Sequence, residues 1–383
     1  MEVEFLGGAG EVGRSALLVN DSLLLDYGIK TDNPPQYPVG DIDPEAVVVS
    51  HGHLDHSGAV PALLSGSKRP PVHWTPPTRA LALRLAEDTL KLHGNTPQCP
   101  FTETHVRRLT QVSETHGYRE SFEAAGHEIT FFNAGHIPGS AHVLIDDGDT
   151  RLLYTGDFHT ENQRLVSATT ARPAVDAVIT ESTYHDVIHS DRRTLEERFV
   201  ESVQTTVWQG GTVIVPVFAI GRAQEMLLIC ARNDIDCYLD GMAKDITRTL
   251  RQYPEYVRDP DAYRRAVSNA RFGPVVSYIP RIRQHPTNKI ALTGYQVEGT
   301  PGRELVETGR AEFDGRVLPV SAQVEQYDFS AHADREGLRA FLDDYRETPI
   351  IVNHGDDCAG YADRLASEGF ETTAPELGRR LSL

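Results

Sequence analysis

The stretch Ser50-His51-Gly52-His53-Leu54-Asp55-His56-Ser57-Gly58 constrains this chain more than any other, because it sets three imidazoles and a carboxylate within six positions, directly after the apolar run Ala46-Val47-Val48-Val49. Such a run reads as a buried strand, and a strand sends its side chains alternately to opposite faces. His51 and His53 therefore share a side at the strand's end. Asp55 and His56 need a change of chain direction to face the same neighbourhood, and Ser57-Gly58, at the start of the next helical pattern, supplies it. Neutral imidazole with carboxylate is a donor set for zinc, with manganese or iron as alternatives. Any one of these histidines alone reads as an ordinary surface residue; four ligand-type side chains at this spacing read as a metal site.

A chain of 383 residues is long enough for two domains with separate cores. Apolar content of 39% against 24% charged places it in the soluble globular class. Cys99, Cys230, Cys237 and Cys358 form no CxxC pair and no disulfide framework, so they read as buried or incidental thiols in a reducing compartment. Met1-Glu2-Val3-Glu4-Phe5-Leu6 lacks the basic start and long apolar core of a signal peptide, and no segment approaches the ~20 apolar residues of a membrane span. The expectation is a cytoplasmic protein with no membrane partner.

The net charge is -18, and lysine occurs only at Lys30, Lys68, Lys91, Lys244 and Lys289, so nearly all the positive charge is arginine. Acid-rich, lysine-poor composition resembles that of proteins from salt-accumulating cells, where a Debye length of about 3 Å screens the self-repulsion of such a surface. An acidic mesophilic protein is the alternative. Neither excludes an anionic substrate, since bound dications and a few arginines can dominate the local field.

Up to about Thr180 the pattern is one of short strands: Val3-Phe5, Ala16-Val19, Ser22-Asp26, Ala46-Ser50, Val72-Trp74, Glu128-Asn133, Ala141-Ile145, Arg151-Thr155 and Ala177-Thr180. One helical stretch, Thr78 to His93, interrupts them. From about Tyr184 a helix at Thr194-Val207, a buried strand at Gly211-Val217 and a helix at Ala223-Ala231 alternate, which predicts a parallel sheet. Asp259 to Asn288 reads as loop and helix. Two further strand ends carry ligand-type residues: His136 in the turn Ala134-Gly135-His136-Ile137-Pro138-Gly139, and Asp157 after Leu152-Leu153-Tyr154-Thr155-Gly156. Alone, each is a turn residue. With the first cluster they suggest a metal site fed by several strand ends, as metal-assisted hydrolysis requires.

In this order, with Asp26 after Leu23-Leu24-Leu25, these residues resemble the motifs of the metallo-β-lactamase fold. Glu181-Ser182-Thr183-Tyr184, Val215 to Glu225, Gly294 to Arg303, Phe329-Ser330-Ala331-His332-Ala333-Asp334 and Val352-Asn353-His354-Gly355 resemble the blocks of its β-CASP branch. That branch includes the nuclease subunit of the pre-mRNA cleavage and polyadenylation factor, archaeal relatives of it, and RNase J. The resemblance runs from the loop Leu6 to Arg14 through His354. It implies an α/β protein: a metallo-β-lactamase αβ/βα four-layer sandwich over residues 1-184, an inserted α/β β-CASP cap domain over 185-328, and completion of the first domain over 329-383.

The resemblance further implies two Zn2+ per chain, with Mn2+ as the alternative. His51, His53 and His136 would hold one ion, Asp55, His56 and His354 the other, with Asp157 bridging and Asp26 orienting a ligand histidine without binding metal. Asp55, Asp157, Glu181 and His332 would form the catalytic set. A hydroxide activated between the two ions would attack phosphorus in line. His332, held by Glu181, would protonate the leaving oxygen or stabilise the phosphoryl charge, leaving a 5′-phosphate and a 3′-hydroxyl.

The implied function is a zinc-dependent ribonuclease on single-stranded RNA in mRNA 3′-end processing, RNA maturation or decay, as endonuclease and/or 5′-3′ exonuclease. A homodimer or RNA-processing proteins are the expected partners, and the chain reads as a minimal catalytic core with no appended RNA-binding domain. Arg222 and Arg303 are candidates for phosphate contacts, Arg281 and Arg283 equally for a solvated face, and Tyr295 for base stacking or core packing. A thioesterase or lactonase on the same fold is one alternative, since fold does not fix function. A non-catalytic RNA-binding scaffold is another. The cap-domain blocks and His332 weigh against the first, and the complete ligand set against the second.

His354 is expected to separate RNA-cleaving members from DNA-processing ones. Two positions depart from the family pattern: His185 stands where glycine is common and is expected at the surface, and Asp356 stands where glutamate is common. The glycine-rich stretch Leu6 to Gly13 lacks a following Lys-Ser pair, so it reads as a turn and not as a nucleotide site.

Overall fold

Leu23–Leu25 and Ala46–Val48 are buried at every position, which requires a sheet covered on both faces. The computed structural model describes residues 1–94, 96, 99–272, 282–294, 296, 300–313 and 316–383. In it these two strands lie inside a seven-stranded sheet with the spatial order Arg380–Ser382, Glu2–Gly7, Ala16–Val19, Leu23–Leu25, Ala46–Val48, Val72–Trp74, Ser113–Thr115. A second seven-stranded sheet runs Thr372–Thr373, Ile350–Val352, Ala177–Thr180, Arg151–Tyr154, Ala141–Asp146, His127–Asn133, Ser121–Ala124.

Side-chain alternation turns the two sheets into four layers. Leu23, Leu25, Ala46 and Val48 point inward and share one core with Ile129, Phe131, Val143 and Ile179 of the other sheet. Their neighbours Leu24, Val47 and Val49 point outward, where they pack with Ala82 and Leu109 of the helices Pro76–His93 and Glu103–Val112. On the far side, Leu153, Val178, Ile350 and Val352 pack against Leu338 and Phe341 of the helix Arg335–Leu342 and Tyr361 and Leu365 of Cys358–Ser367. The αβ/βα sandwich is thus visible as three separate apolar contacts between four layers. Its last strands come from the end of the chain: Ile350–Val352 pairs in parallel with Ala177–Thr180, and Arg380–Ser382 pairs antiparallel with Glu2–Gly7.

By its internal contacts the chain divides into two compact units, one of Met1–Asn162, Val166–Ile188 and His332–Leu383, the other of Gln163–Leu165 and His189–Ala331. The sandwich is the first. The second is built on a three-stranded parallel sheet of Val213–Ile214, Lys289–Leu292 and Gln323–Gln326. Ala291 faces Phe199 and Ile229 of the helices Arg192–Trp208 and Arg222–Arg232, whereas Ile290 and Leu292 face Leu305 and Ala311 on the other side. The predicted parallel sheet is therefore present and covered on both faces. The predicted strand Gly211-Val217 shrinks to Val213–Ile214. Pro216 has no N–H to give to a ladder, although Val215 and Val217 still pack on the core.

The first half differs from its sequence pattern at two places. It contains a second long helix, Glu103–Val112, where one was expected; only Val106 and Leu109 of it are buried, too few to show a periodic stripe. The chain also turns earlier than Ser57-Gly58. The strand ends at Val48, and a short helix already begins at Leu54, so Asp55 and His56 lie within its single turn. Gly52 permits this, since a Cβ there would lie 2.7 Å from Leu81 Cβ.

Phe131 has no exposed surface and sits between the two sheets. Phe131→Ala is expected to lower stability by about 3–5 kcal/mol through lost burial and a residual cavity, with an unchanged slope in urea unfolding.

Candidate metal centre

Six chain segments end a strand in the same region of the sandwich, and each delivers a polar side chain. Leu23–Leu25 leads to Asp26, Ala46–Val48 to His51, His127–Asn133 to His136, Arg151–Tyr154 to Asp157, Ala177–Thr180 to Glu181 and Ile350–Val352 to His354. The carboxyl ends of sheet strands are the usual place for ligands in open α/β sheets. Close approach is needed here. Gly156, at φ 51°, leaves room that a Cβ would lose against Ser50 Cβ at 2.9 Å.

The donors fall into two groups around one carboxylate. His51, His53 and His136 converge, with His51 Nε2 3.1 Å and His136 Nε2 3.0 Å from His53 Nδ1. Asp55, His56, Asp157 and His354 converge beside them. Asp157 faces both. Its Oδ2 lies 3.6 Å from His51 Nε2 and 3.9 Å from His136 Nε2, while Oδ1 lies 3.3 Å from His56 Nε2 and 3.7 Å from His354 Nε2. His354 Nε2 is also 3.8 Å from Asp55 Oδ2. Tetrahedral zinc with Zn–N near 2.05 Å holds its donors ~3.3 Å apart, so these separations suit cations between the groups.

Unpaired buried atoms test that fit. His56 Nε2, Asp157 Oδ1 and both ring nitrogens of His354 have no hydrogen-bond partner among the described residues. Buried polar atoms are normally satisfied, and these four belong to one donor set. The charge balance agrees for His51 and His53, whereas burial of His56 is outweighed by Asp157 and Asp26, which raise that ring well above the ordinary imidazole value. Burial pushes His51 well below the ordinary imidazole value, with His56 adding to the effect, and burial lowers His53 as well. Both rings are therefore neutral, the state in which imidazole binds a metal. Burial alone would raise Asp157, but His354, His56 and His332 hold it well below the carboxylate range.

Behind the cluster, Asp26 occupies the left-handed region at φ 57°, which aspartate tolerates better than most residues. Its carboxylate accepts from His56 Nδ1 at 2.7 Å, Ser50 N–H at 2.7 Å, Ser50 Oγ at 2.8 Å and the Tyr154 hydroxyl at 2.7 Å. This fixes the His56 ring so that Nε2 turns toward Asp157. Ser50 and Tyr154 were not picked out from the sequence, where a serine before a histidine and a tyrosine in an apolar strand carry no signal. The glycine-rich loop likewise has a part: the Gly8 carbonyl accepts the His354 N–H at 2.8 Å.

Glu181 and His332 form the third element. His332 Nδ1 is 2.9 Å from Glu181 Oε2, and Glu181 Oε1 also accepts the Phe158 N–H at 2.7 Å. His332 Nδ1 lies 3.9 Å from Asp157 Oδ2, and its ring centroid is 4.5 Å from that of His136. Burial disfavours charge on this ring, but Glu181 and Asp157 outweigh it and lift the imidazole to about 9.

Arg222 and Arg303 belong to the second unit, where Arg222 opens the helix Arg222–Arg232 and Arg303 pairs with Glu307 one helical turn away. Arg283 donates to the Pro319 carbonyl. Tyr295 and Arg281 fall outside the described residues. His185, expected at the surface, is buried and stacked on Tyr361 at 5.0 Å, because the helix Cys358–Ser367 covers it.

A family model described as the metallo-beta-lactamase superfamily matches residues 9–201. The chain belongs to the metallo-β-lactamase superfamily. A second model, described as a Zn-dependent metallo-hydrolase RNA specificity domain, matches residues 317–375. Among curated relatives, a protein named probable RNase MJ4 from Methanocaldococcus jannaschii is 30% identical over the full length of both chains. RNase aCSPSF2 from Saccharolobus solfataricus is 32% identical, covering 100% of this chain and 85% of that protein. A transcription termination factor, FttA, from M. jannaschii is 31% identical over 95% of this chain and 69% of its own. The crystal structure of a protein of unknown function from Enterococcus faecalis V583 shares the fold at a TM-score of 0.64 and 14% identity, covering 100% of this chain and 99% of that one. Superfamily and donor cluster together mark this metallo-β-lactamase member as a binder of divalent metal.

Asp26→Ala removes the acceptor that fixes His56. It is expected to weaken metal binding by about 10–100-fold, measured by zinc titration of the metal-free protein.

Proposed function

We propose that this protein is a divalent-metal-dependent ribonuclease that hydrolyses phosphodiester bonds of single-stranded RNA in RNA processing. The single observation that carries the reading is the Glu181–His332 pair at the margin of a seven-residue donor cluster: a carboxylate-held imidazole beside two groups of metal-type donors. Relatives named RNase, similar over their whole length or most of it, support it. So does the match to an RNA specificity domain, which takes in His332 and His354.

In this reading His51, His53 and His136 would hold one zinc and Asp55, His56 and His354 a second, with Asp157 available to both and manganese as a substitute. Two such cations supply charge neutralisation for the phosphate and a water that ionises near neutral pH. Asp26 keeps the His56 lone pair on the metal side. Glu181 holds His332 through Nδ1, leaving Nε2 as the atom that passes a proton to the departing ribose oxygen. The products are a 5′-phosphate and a 3′-hydroxyl. In this reading the second unit, Gln163–Leu165 and His189–Ala331, corresponds to the cap domain expected over 185–328, and its Arg222 and Arg303 are the proposed phosphate contacts. No helix among the described residues is long and apolar enough to cross a membrane.

Purified protein with zinc or manganese is expected to cut single-stranded RNA and to spare DNA of the same sequence; cleavage of the DNA alone overturns the proposal. Circular RNA, which lacks a 5′ end, is cut only if the enzyme acts as an endonuclease. His332→Ala is expected to retain its metal and lose cleavage by ~10²–10⁴-fold. Loss of metal in that variant would make His332 a ligand instead. The acidic, lysine-poor surface further supports a protein adapted to high salt, whose melting temperature should rise between about 0.1 M and about 2 M KCl as self-repulsion is screened.

A further inference from the structure

A second cluster of ligand-type side chains lies at the edge of the first sheet and has no part in the centre described above. Val72–Trp74 pairs in parallel with the edge strand Ser113–Thr115, and the register sets His73 opposite Glu114. The chain then continues to His116, whose N–H is held by the Trp74 carbonyl at 3.0 Å. This brings His73 Nδ1 to 3.0 Å from His116 Nε2 and 3.7 Å from Glu114 Oε2. One donor atom from each of the three residues lies within 4.8 Å of the others.

We propose that His73, Glu114 and His116 form a separate site for a transition-metal dication of the zinc class, with the remaining coordination position open to water. Two imidazoles and a carboxylate are a donor set that zinc accepts, and the nitrogen separation is close to the ~3.3 Å of tetrahedral coordination. The surroundings hold both rings in place. His73 is 3% exposed, and Phe122 of the second sheet stacks on His116 with centroids 3.6 Å apart and also lies 5.1 Å from His73. Glu114 is largely exposed, so the site has an entry from solvent.

Both rings are also in the binding state. Burial outweighs the attraction of Glu114 and lowers His73 to about 4, and burial lowers His116 too. Two neutral imidazoles can share only one hydrogen bond at their contact, between His73 Nδ1 and His116 Nε2. A cation would instead use a lone pair from each ring. The site's function is structural: it ties a three-residue edge strand, which buries little surface of its own, to its neighbour and to the aromatic stack of the opposite sheet.

Zinc titration of the metal-free full chain, read by competition with a chromophoric chelator, tests this. Wild type is expected to take up one more zinc per chain than His116→Gln. Glu114→Gln, which changes only an exposed side chain and leaves the fold intact, is expected to bind that zinc at least about tenfold more weakly. Both variants should cleave RNA as wild type does, and zinc should raise the melting temperature of wild type more than theirs. Equal stoichiometry and affinity in all three proteins would overturn the proposal, as would loss of cleavage in Glu114→Gln.

Discussion

The carboxylate of Asp157 is the constraint on which the sandwich turns. It is buried among His51, His56, His136, His332 and His354, and one of its oxygens has no hydrogen-bond partner among the described residues. An ionised carboxylate in such a place costs several kcal/mol unless opposite charge reaches it. Strand ends from distant parts of the chain are assembled around it; burial keeps His51 and His53 neutral, whereas the carboxylates beside them raise His56 and His332. The imidazoles beside it supply part of the compensation, and cations held by the same donors would supply the rest.

Holding the donors still is the work of a layer of ordinary residues. Asp26 is itself a buried carboxylate, but it accepts four hydrogen bonds and so is fully satisfied, which lets it orient His56. Glu181 has the same relation to His332, with the Phe158 N–H as its second anchor. Gly156 matters for what it lacks, because any side chain there would push the Asp157 loop away from Ser50. The sandwich and its three apolar contacts thus serve as a frame whose tolerance is set by the spacing of ligand atoms.

How much of this could be read beforehand depended on how local each signal was. The run from His51 to His56 is legible because four donors lie in one turn of chain, and most of the short strands are legible because apolar residues fill them end to end. The helix Glu103–Val112 is not legible because two buried side chains do not make a pattern. Val213–Ile214 was overextended because Val215 and Val217 are apolar for packing and not for pairing, with Pro216 between them. His185 reads as a surface residue because nothing near it in sequence announces Tyr361, which arrives with a helix at the far end of the chain. Ser50 and Tyr154 illustrate the same limit at the site, since only the position of Asp26 gives them meaning.

The amino-acid sequence by itself determined the chemistry: the donor types, their order along the chain, the α/β alternation and the resemblance that ties them together. Those are properties of composition and short-range spacing, which a linear pattern retains. Tertiary structure alone decided which donor atoms meet, that Asp157 turns one oxygen to each group, and that His354, from the last strands, closes a cluster begun at His51. It also decided that His73, Glu114 and His116 come together, since their contact depends on the register of two strands joined through a long connection. Convergence is a matter of sheet pairing and layer packing between distant segments, and no local spacing encodes it.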